Sequence, residues 1–158
     1  MEKNRFLVTS YKTLSIIIIL LFLSTCSLPR IAVLRDPLAP EEHIKLGLIY
    51  EKRGEFDAAL SEYQAASGKL PIACLYMGNI YFQKGCFEKA ESLYGEAIKE
   101  TQNPHAFNNL AWLYYTINRN LEDAVSLAKK ALEIEPENPD FKDTLNKIVE
   151  RRKSQPAP

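Results

Sequence analysis

The sequence predicts an all-α fold, a solenoid of three helix-turn-helix repeats closed by one further helix. Two observations carry this. Leu-Gly-Leu-Ile-Tyr at 46–50, Met-Gly-Asn-Ile-Tyr at 77–81 and Leu-Ala-Trp-Leu-Tyr at 110–114 are versions of one phrase, spaced 31 and 33 residues apart. Each is followed by a turn-like stretch and then by a segment carrying Ala59, Ala90 or Ala124. Self-similarity at this period marks helical hairpins that bury their apolar faces only by stacking on one another.

In chain order, the first element is a leader over residues 1–25. Lys3, Arg5 and Lys12 precede an apolar run from Leu14 to Leu23, broken only by Ser15. A charged start, a short apolar run and small residues after it make a secretory signal. A run of ten residues falls short of the roughly eighteen that a spanning helix needs. A short uncleaved anchor over Thr13–Leu28 is the alternative. The run ends at Leu23-Ser24-Thr25-Cys26, which resembles the lipobox of bacterial lipoproteins. That resemblance implies cleavage before Cys26 and its modification by diacylglycerol and palmitate. Thr25 departs from the pattern, where Gly, Ala or Ser normally stands; the competing reading is an ordinary signal peptide with a chance Cys. Several acyl chains on one Cys would hold the protein firmly, at about 0.8 kcal/mol per buried methylene. Ser27, by the same resemblance, favours the outer membrane, with the rest of the chain periplasmic. Residues 26–39, with Pro29, Pro37 and Pro40 in or next to them, read as an extended tether.

The repeats follow at about 40–70, 71–104 and 104–138. The first gives Leu46, Gly47, Tyr50, Gly54, Phe56, Ala59, Tyr63, Ala66 and Pro71; the second Met77, Gly78, Tyr81, Gly85, Phe87, Ala90, Tyr94 and Ala97. The third gives Leu110, Ala111, Tyr114, Ala124, Ala128, Ala131 and Pro136. A Gly or Ala on the first helix of a hairpin lets the second approach closely, and aromatics fill the space between neighbours. Gly54 and Gly85 suit the left-handed conformation that ends a helix. The first unit is three residues short around Ser67-Gly68-Lys69. The third carries one extra residue at Asn118-Arg119-Asn120, where Asn replaces the turn Gly. Phe141, Leu145, Ile148 and Val149 then share one helical face, behind Pro139 at a helix start. This predicts a capping helix over 139–152, covering the last apolar face, with a disordered tail at 154–158.

These units closely resemble tetratricopeptide repeats, and the chain as a whole resembles a small bacterial tetratricopeptide lipoprotein. The resemblance covers about residues 40–150. It implies a right-handed array whose first-of-pair helices line a concave groove. The groove positions it assigns are Ile44, Leu48, Glu51 and Lys52 in the first unit, Leu75, Asn79, Phe82 and Gln83 in the second, and Asn108, Trp112, Tyr115 and Thr116 in the third. An aromatic strip with amides beside it suits an extended peptide. The alternative for Phe82, Tyr115 and Trp112 is packing within the array. Asn79 and Asn109 are similar to the paired asparagines of members that clamp C-terminal carboxylates. The basic residues of that clamp are replaced by Leu75, Asp140 and Thr144, which argues against a clamp.

Other function classes find little support. The whole chain has 20 basic and 20 acidic residues; without Lys3, Arg5, Lys12 and Glu2 of the leader, the balance is −2. Nucleic-acid binding wants a strongly basic surface. His43 and His105 have no partner at metal-ligand spacing, and no nucleophile, phosphate-loop or cofactor motif stands out. No enzyme, metal or cofactor is expected. Cys74 reads as a small core hydrophobe and Cys86 as a turn thiol, about 18 Å apart along a helix and so unbridged. Glu41-Glu42 and Glu133, Glu135 and Glu137 read as solvated helix-end charges. The expectation is a lipid-tethered adaptor that holds an unidentified envelope protein or peptide in its groove, by analogy within a secretion or envelope assembly. The alternatives are a constitutive subunit docked through its convex face or linker, and a glycan or small-molecule binder using Trp112 and Tyr115 as stacking platforms.

Overall fold

The computed structural model describes residues 37–154. The leader, Cys26, most of the tether and the tail from residue 155 lie outside the described residues. Seven α-helices and no strand occur among those described: α1 (Pro40–Lys52), α2 (Phe56–Ser67), α3 (Ile72–Gln83), α4 (Phe87–Thr101), α5 (Pro104–Thr116), α6 (Leu121–Ile134) and α7 (Pro139–Ser154). The helices pack as three hairpins, α1 with α2, α3 with α4 and α5 with α6, while α7 closes the array against α6 and α5. An all-α solenoid is thus what the repeated phrase encodes.

The termini explain why α1, α5 and α7 begin where they do. Pro40, Pro104 and Pro139 stand at the first helical position of α1, α5 and α7, where a missing N–H costs nothing. Asn103 Oδ1 accepts from the N–H groups of His105 (2.9 Å) and Ala106 (3.3 Å). Asn138 Oδ1 does the same for Asp140 (3.0 Å) and Phe141 (3.3 Å). At α1, Ala39 has no side-chain acceptor, but its own N–H donates to Glu42 Oε2 at 2.8 Å. These contacts satisfy donors that a helix start leaves open.

The tyrosine that ends each repeated phrase anchors the turn that closes its helix. Its carbonyl accepts an N–H five residues ahead: Glu55 to Tyr50 (2.9 Å), Cys86 to Tyr81 (2.9 Å) and Arg119 to Tyr114 (3.0 Å). That closure needs a left-handed residue just before the donor. Gly54 (φ 76°) and Gly85 (φ 72°) supply it in the first two units, and Asn118 (φ 52°) in the third. The extra residue of the third turn brings a second left-handed asparagine, Asn120 (φ 52°), directly before α6. The deletion in the first unit appears as length, since α2 has 12 residues and α4 has 15. The last helix runs through Ser154, whose Oγ donates to the Arg151 carbonyl at 2.7 Å.

Packing repeats with the phrase as well. A Cβ on Gly47 would stand 2.4 Å from the Tyr63 ring, and one on Gly78 2.6 Å from the Tyr94 ring. Both rings are buried, so helix-to-helix distance in the first two hairpins is set by glycine lying against tyrosine. The third hairpin has Ala111 and Ala128 at the corresponding places. This small pair leaves room that the cap fills: Ala111, Ala128 and the fully buried Ile148 share one apolar cluster. Tyr63 and Tyr76 stack across the first two units, with centroids 5.2 Å apart. Helix α3 is covered on several sides, burying Ala73, Cys74, Leu75, Met77, Gly78 and Ile80, as a helix between two neighbours must. Cys74 is buried and Cys86 half-buried, both as free thiols. Cys86 precedes α4 rather than ending α3.

Candidate functional site

Helices α1, α3 and α5 bring one residue after another to a shared depression of about 240 Å³. Helix α1 contributes Glu51, α3 contributes Asn79, Phe82 and Gln83, and α5 contributes Asn109 and Trp112. The phenol of Tyr94 reaches it from α4. Helical spacing accounts for the set: Phe82 and Gln83 lie three and four residues after Asn79, and Trp112 lies three after Asn109, so each group shares a face.

A hydrogen-bond network fixes the floor. Tyr94 Oη donates to Asn79 Oδ1 at 3.0 Å, and Asn109 Nδ2 donates to the same oxygen at 2.8 Å. Tyr63 Oη donates to Glu51 Oε2 at 2.7 Å. Burial is the main force holding the Tyr63 phenol far above its ordinary range, followed by the hydrogen bond and negative charge of Glu51. Burial, then the charge of Glu51, does the same to Tyr94. Both phenols therefore stay neutral donors, because ionising them would place a second negative charge beside a carboxylate in a poorly solvated site. Asn79 and Asn109 also line a neighbouring depression of about 310 Å³ with Ile72, Tyr76 and His105, forming a polar ridge between the two.

The cap reaches the other end of the aromatic strip. Trp112 and Tyr115 stack with centroids 4.9 Å apart. Arg151 Nη2 donates to Tyr115 Oη at 3.2 Å, with its guanidinium 4.6 Å from the ring centroid. Lys147 Nζ lies 5.4 Å from the Trp112 centroid and pairs with Asp143 at 2.6 Å. Tyr115 is thus already engaged by a cation of the chain itself.

Of the groove positions read from the sequence, Asn79, Phe82, Gln83 and Trp112 come together, with Glu51 and Asn109 beside them. Leu48 and Lys52 are exposed on α1 and stand outside the depression. Leu75 touches the neighbouring depression but is only 5% exposed and belongs to the core. Asn108 is 9% exposed and counts among the buried residues of α5. Its Oδ1 is buried without a hydrogen-bond partner. The Tyr94 and Tyr63 hydroxyls were not legible as site groups, since their partners lie 15 and 12 residues away across a turn. The repeated Gly–Tyr pairing was the available signal.

The orphaned carbonyl makes a stability prediction. A buried unsatisfied acceptor costs about 1–3 kcal/mol, and the first two units carry Ile44 and Leu75 where the third has Asn108. Asn108→Leu should raise stability by about 1 kcal/mol, and a melting curve should shift upward by a few degrees. A lowered melting temperature would mean that the amide makes a contact leucine cannot replace.

Among the described residues no group of three or more His, Cys, Asp or Glu side chains is placed to hold a metal ion. His43 is buried and its Nδ1 meets Glu62 Oε2 at 2.7 Å; His105 packs edge-on to Phe141 with centroids 5.2 Å apart. No described helix is long and apolar enough to cross a membrane.

Paired helices stacked in register, a glycine against a tyrosine in the first two pairs, and an open face of amides and rings define a helical-repeat interaction scaffold. The tetratricopeptide repeat family model matches residues 75–139. Among curated proteins no sequence matches the chain. Among solved structures it is similar to the first TPR of Spaghetti (RPAP3) bound to the HSP90 peptide SRMEEVD, at 24% identity and TM-score 0.68, over 73% of this chain and 94% of that one. It is also similar to the Arabidopsis OM64 TPR domain, at 19% identity and TM-score 0.66, covering 72% and 96%. A tetratricopeptide repeat protein from Parabacteroides merdae aligns at 22% identity and TM-score 0.64, over 75% of this chain and 47% of that one. At these identities the likeness is one of fold. Proteins of this family are typically non-enzymatic scaffolds for protein–protein interaction.

Proposed function

We propose that this protein is a membrane-tethered adaptor that holds an extended peptide segment of an envelope protein across the face shared by α1, α3 and α5. The observation that carries the groove reading is the depression itself, in which two aromatic rings stand beside an amide ridge already ordered by Tyr94. Rings take side chains, while the amide groups of Asn79 and Gln83 bond a peptide backbone. A solved structure of this fold, the first TPR of Spaghetti, is bound to a peptide, which supports the same use here. The tether is Cys26 with its acyl chains, and the compartment is the periplasmic face of a bacterial envelope, with the outer membrane favoured by Ser27. This part rests on residues 1–27 of the sequence alone.

Two measurements test the reading. Labelled palmitate should enter the protein and its membrane fraction, and Cys26→Ser should abolish both. Protein purified from native membranes should bring a partner that a folded Asn79→Ala, Trp112→Ala, Tyr115→Ala form loses. A partner retained by that form would move the interface to the other face, the linker or the cap.

A further inference from the structure

The charge lining the groove selects among peptides. We propose that the depression beneath Asn79 seats the cationic side chain, Lys or Arg, of the bound segment, an inference that rests on the peptide-binding reading above. Glu51 is the charged residue among those lining the depression, and no Lys or Arg lines it. Its carboxylate accepts from Tyr63 through one oxygen and takes part in none of the ion pairs among the described residues. A carboxylate has about four acceptor sites, so it retains capacity for a charged donor.

The rest of the site fits the same occupant. Phe82 and Trp112 bound the depression with apolar surface, which suits the methylene stem of a long basic side chain, and aromatic faces attract its charged end. The chain itself sets cations against this strip from the cap side, Lys147 at Trp112 and Arg151 at Tyr115. Lys147 is neutralised by Asp143, so it leaves the charge of Glu51 unanswered. A carboxylate-bearing segment would meet Glu51 with like charge.

The test is a random heptapeptide display library panned on the full chain in detergent micelles, with Glu51→Gln and Glu51→Lys forms in parallel. Gln keeps an acceptor for Tyr63, and unchanged helical circular dichroism checks each fold. Peptides enriched on the unaltered chain should share a Lys or Arg. A synthetic peptide from that set should bind Glu51→Gln about tenfold or more weakly, roughly 1.4 kcal/mol. Glu51→Lys should turn the enrichment towards acidic residues. Enriched peptides without a shared basic position, or equal affinity for the unaltered and Glu51→Gln forms, would overturn the cation seat and leave peptide binding standing. No enrichment of any peptide would overturn both.

Discussion

Tyr94→Ala is expected to cost about 3–5 kcal/mol, as removal of a buried aromatic side chain does. Against a total stability of about 5–15 kcal/mol, that is a large share, and urea denaturation should show a much lower midpoint. The ring is 2% exposed and fills the space that Gly78 leaves open. Tyr94→Phe keeps the ring and loses only the bond to Asn79, worth about 1 kcal/mol. Gly78→Ala should by itself cost about 1–3 kcal/mol, because its Cβ would meet ring atoms at 2.6 and 2.7 Å and the core would have to shift. With Tyr94→Ala already present, the same substitution should become favourable by up to about 1 kcal/mol, the helix propensity of Ala over Gly. This reversal is the decisive outcome. Two additive costs would mean that the ring contact is not why glycine stands at 78. The third hairpin already carries the double exchange as Ala111 and Ala128.

The second large effect belongs to the cap. Phe141 is 1% exposed and lies in a cluster with Phe107 and Ala131, so Phe141→Ala should cost about 3–5 kcal/mol. In an array held by nearest-neighbour contacts, that loss should stay local. Hydrogen exchange should quicken first in α7 and the adjoining faces of α5 and α6, while α1 to α4 keep their protection. Uniform loss of protection along the array would show that the hairpins open as one unit. The groove would feel the change too, since α7 carries Lys147 and Arg151 against the aromatic strip.

Much of the fold was legible because its determinants are local. The repeated phrase fixes the hairpins, Gly54 and Gly85 announce left-handed turns, and Pro139 with a row of apolar residues announces the cap. Asn118 took the place of the turn glycine as its chemistry allows; that Asn120 would also be left-handed depended on how α6 approaches. The site was less legible. Position within the phrase placed Asn79, Phe82 and Trp112 on one face, and they line one depression, but the same register put Leu75 and Asn108 in the groove, although both are buried. Burial there depends on how neighbouring helices close over α3 and α5, which follows from side-chain volumes in several helices at once. The bond from Arg151 to Tyr115 spans 36 residues, a distance at which no periodicity speaks.

The chain contains one tryptophan, and it is Trp112, at the edge of the groove and stacked on Tyr115. Near-ultraviolet emission excited at the indole band therefore comes from a single place, the place where a partner would lie. An occupant that displaces water from the depression should shift that emission to shorter wavelength, and a contact confined to the opposite face should leave it unmoved. The protein carries its own optical probe, and binding at this face can be followed without attaching any label.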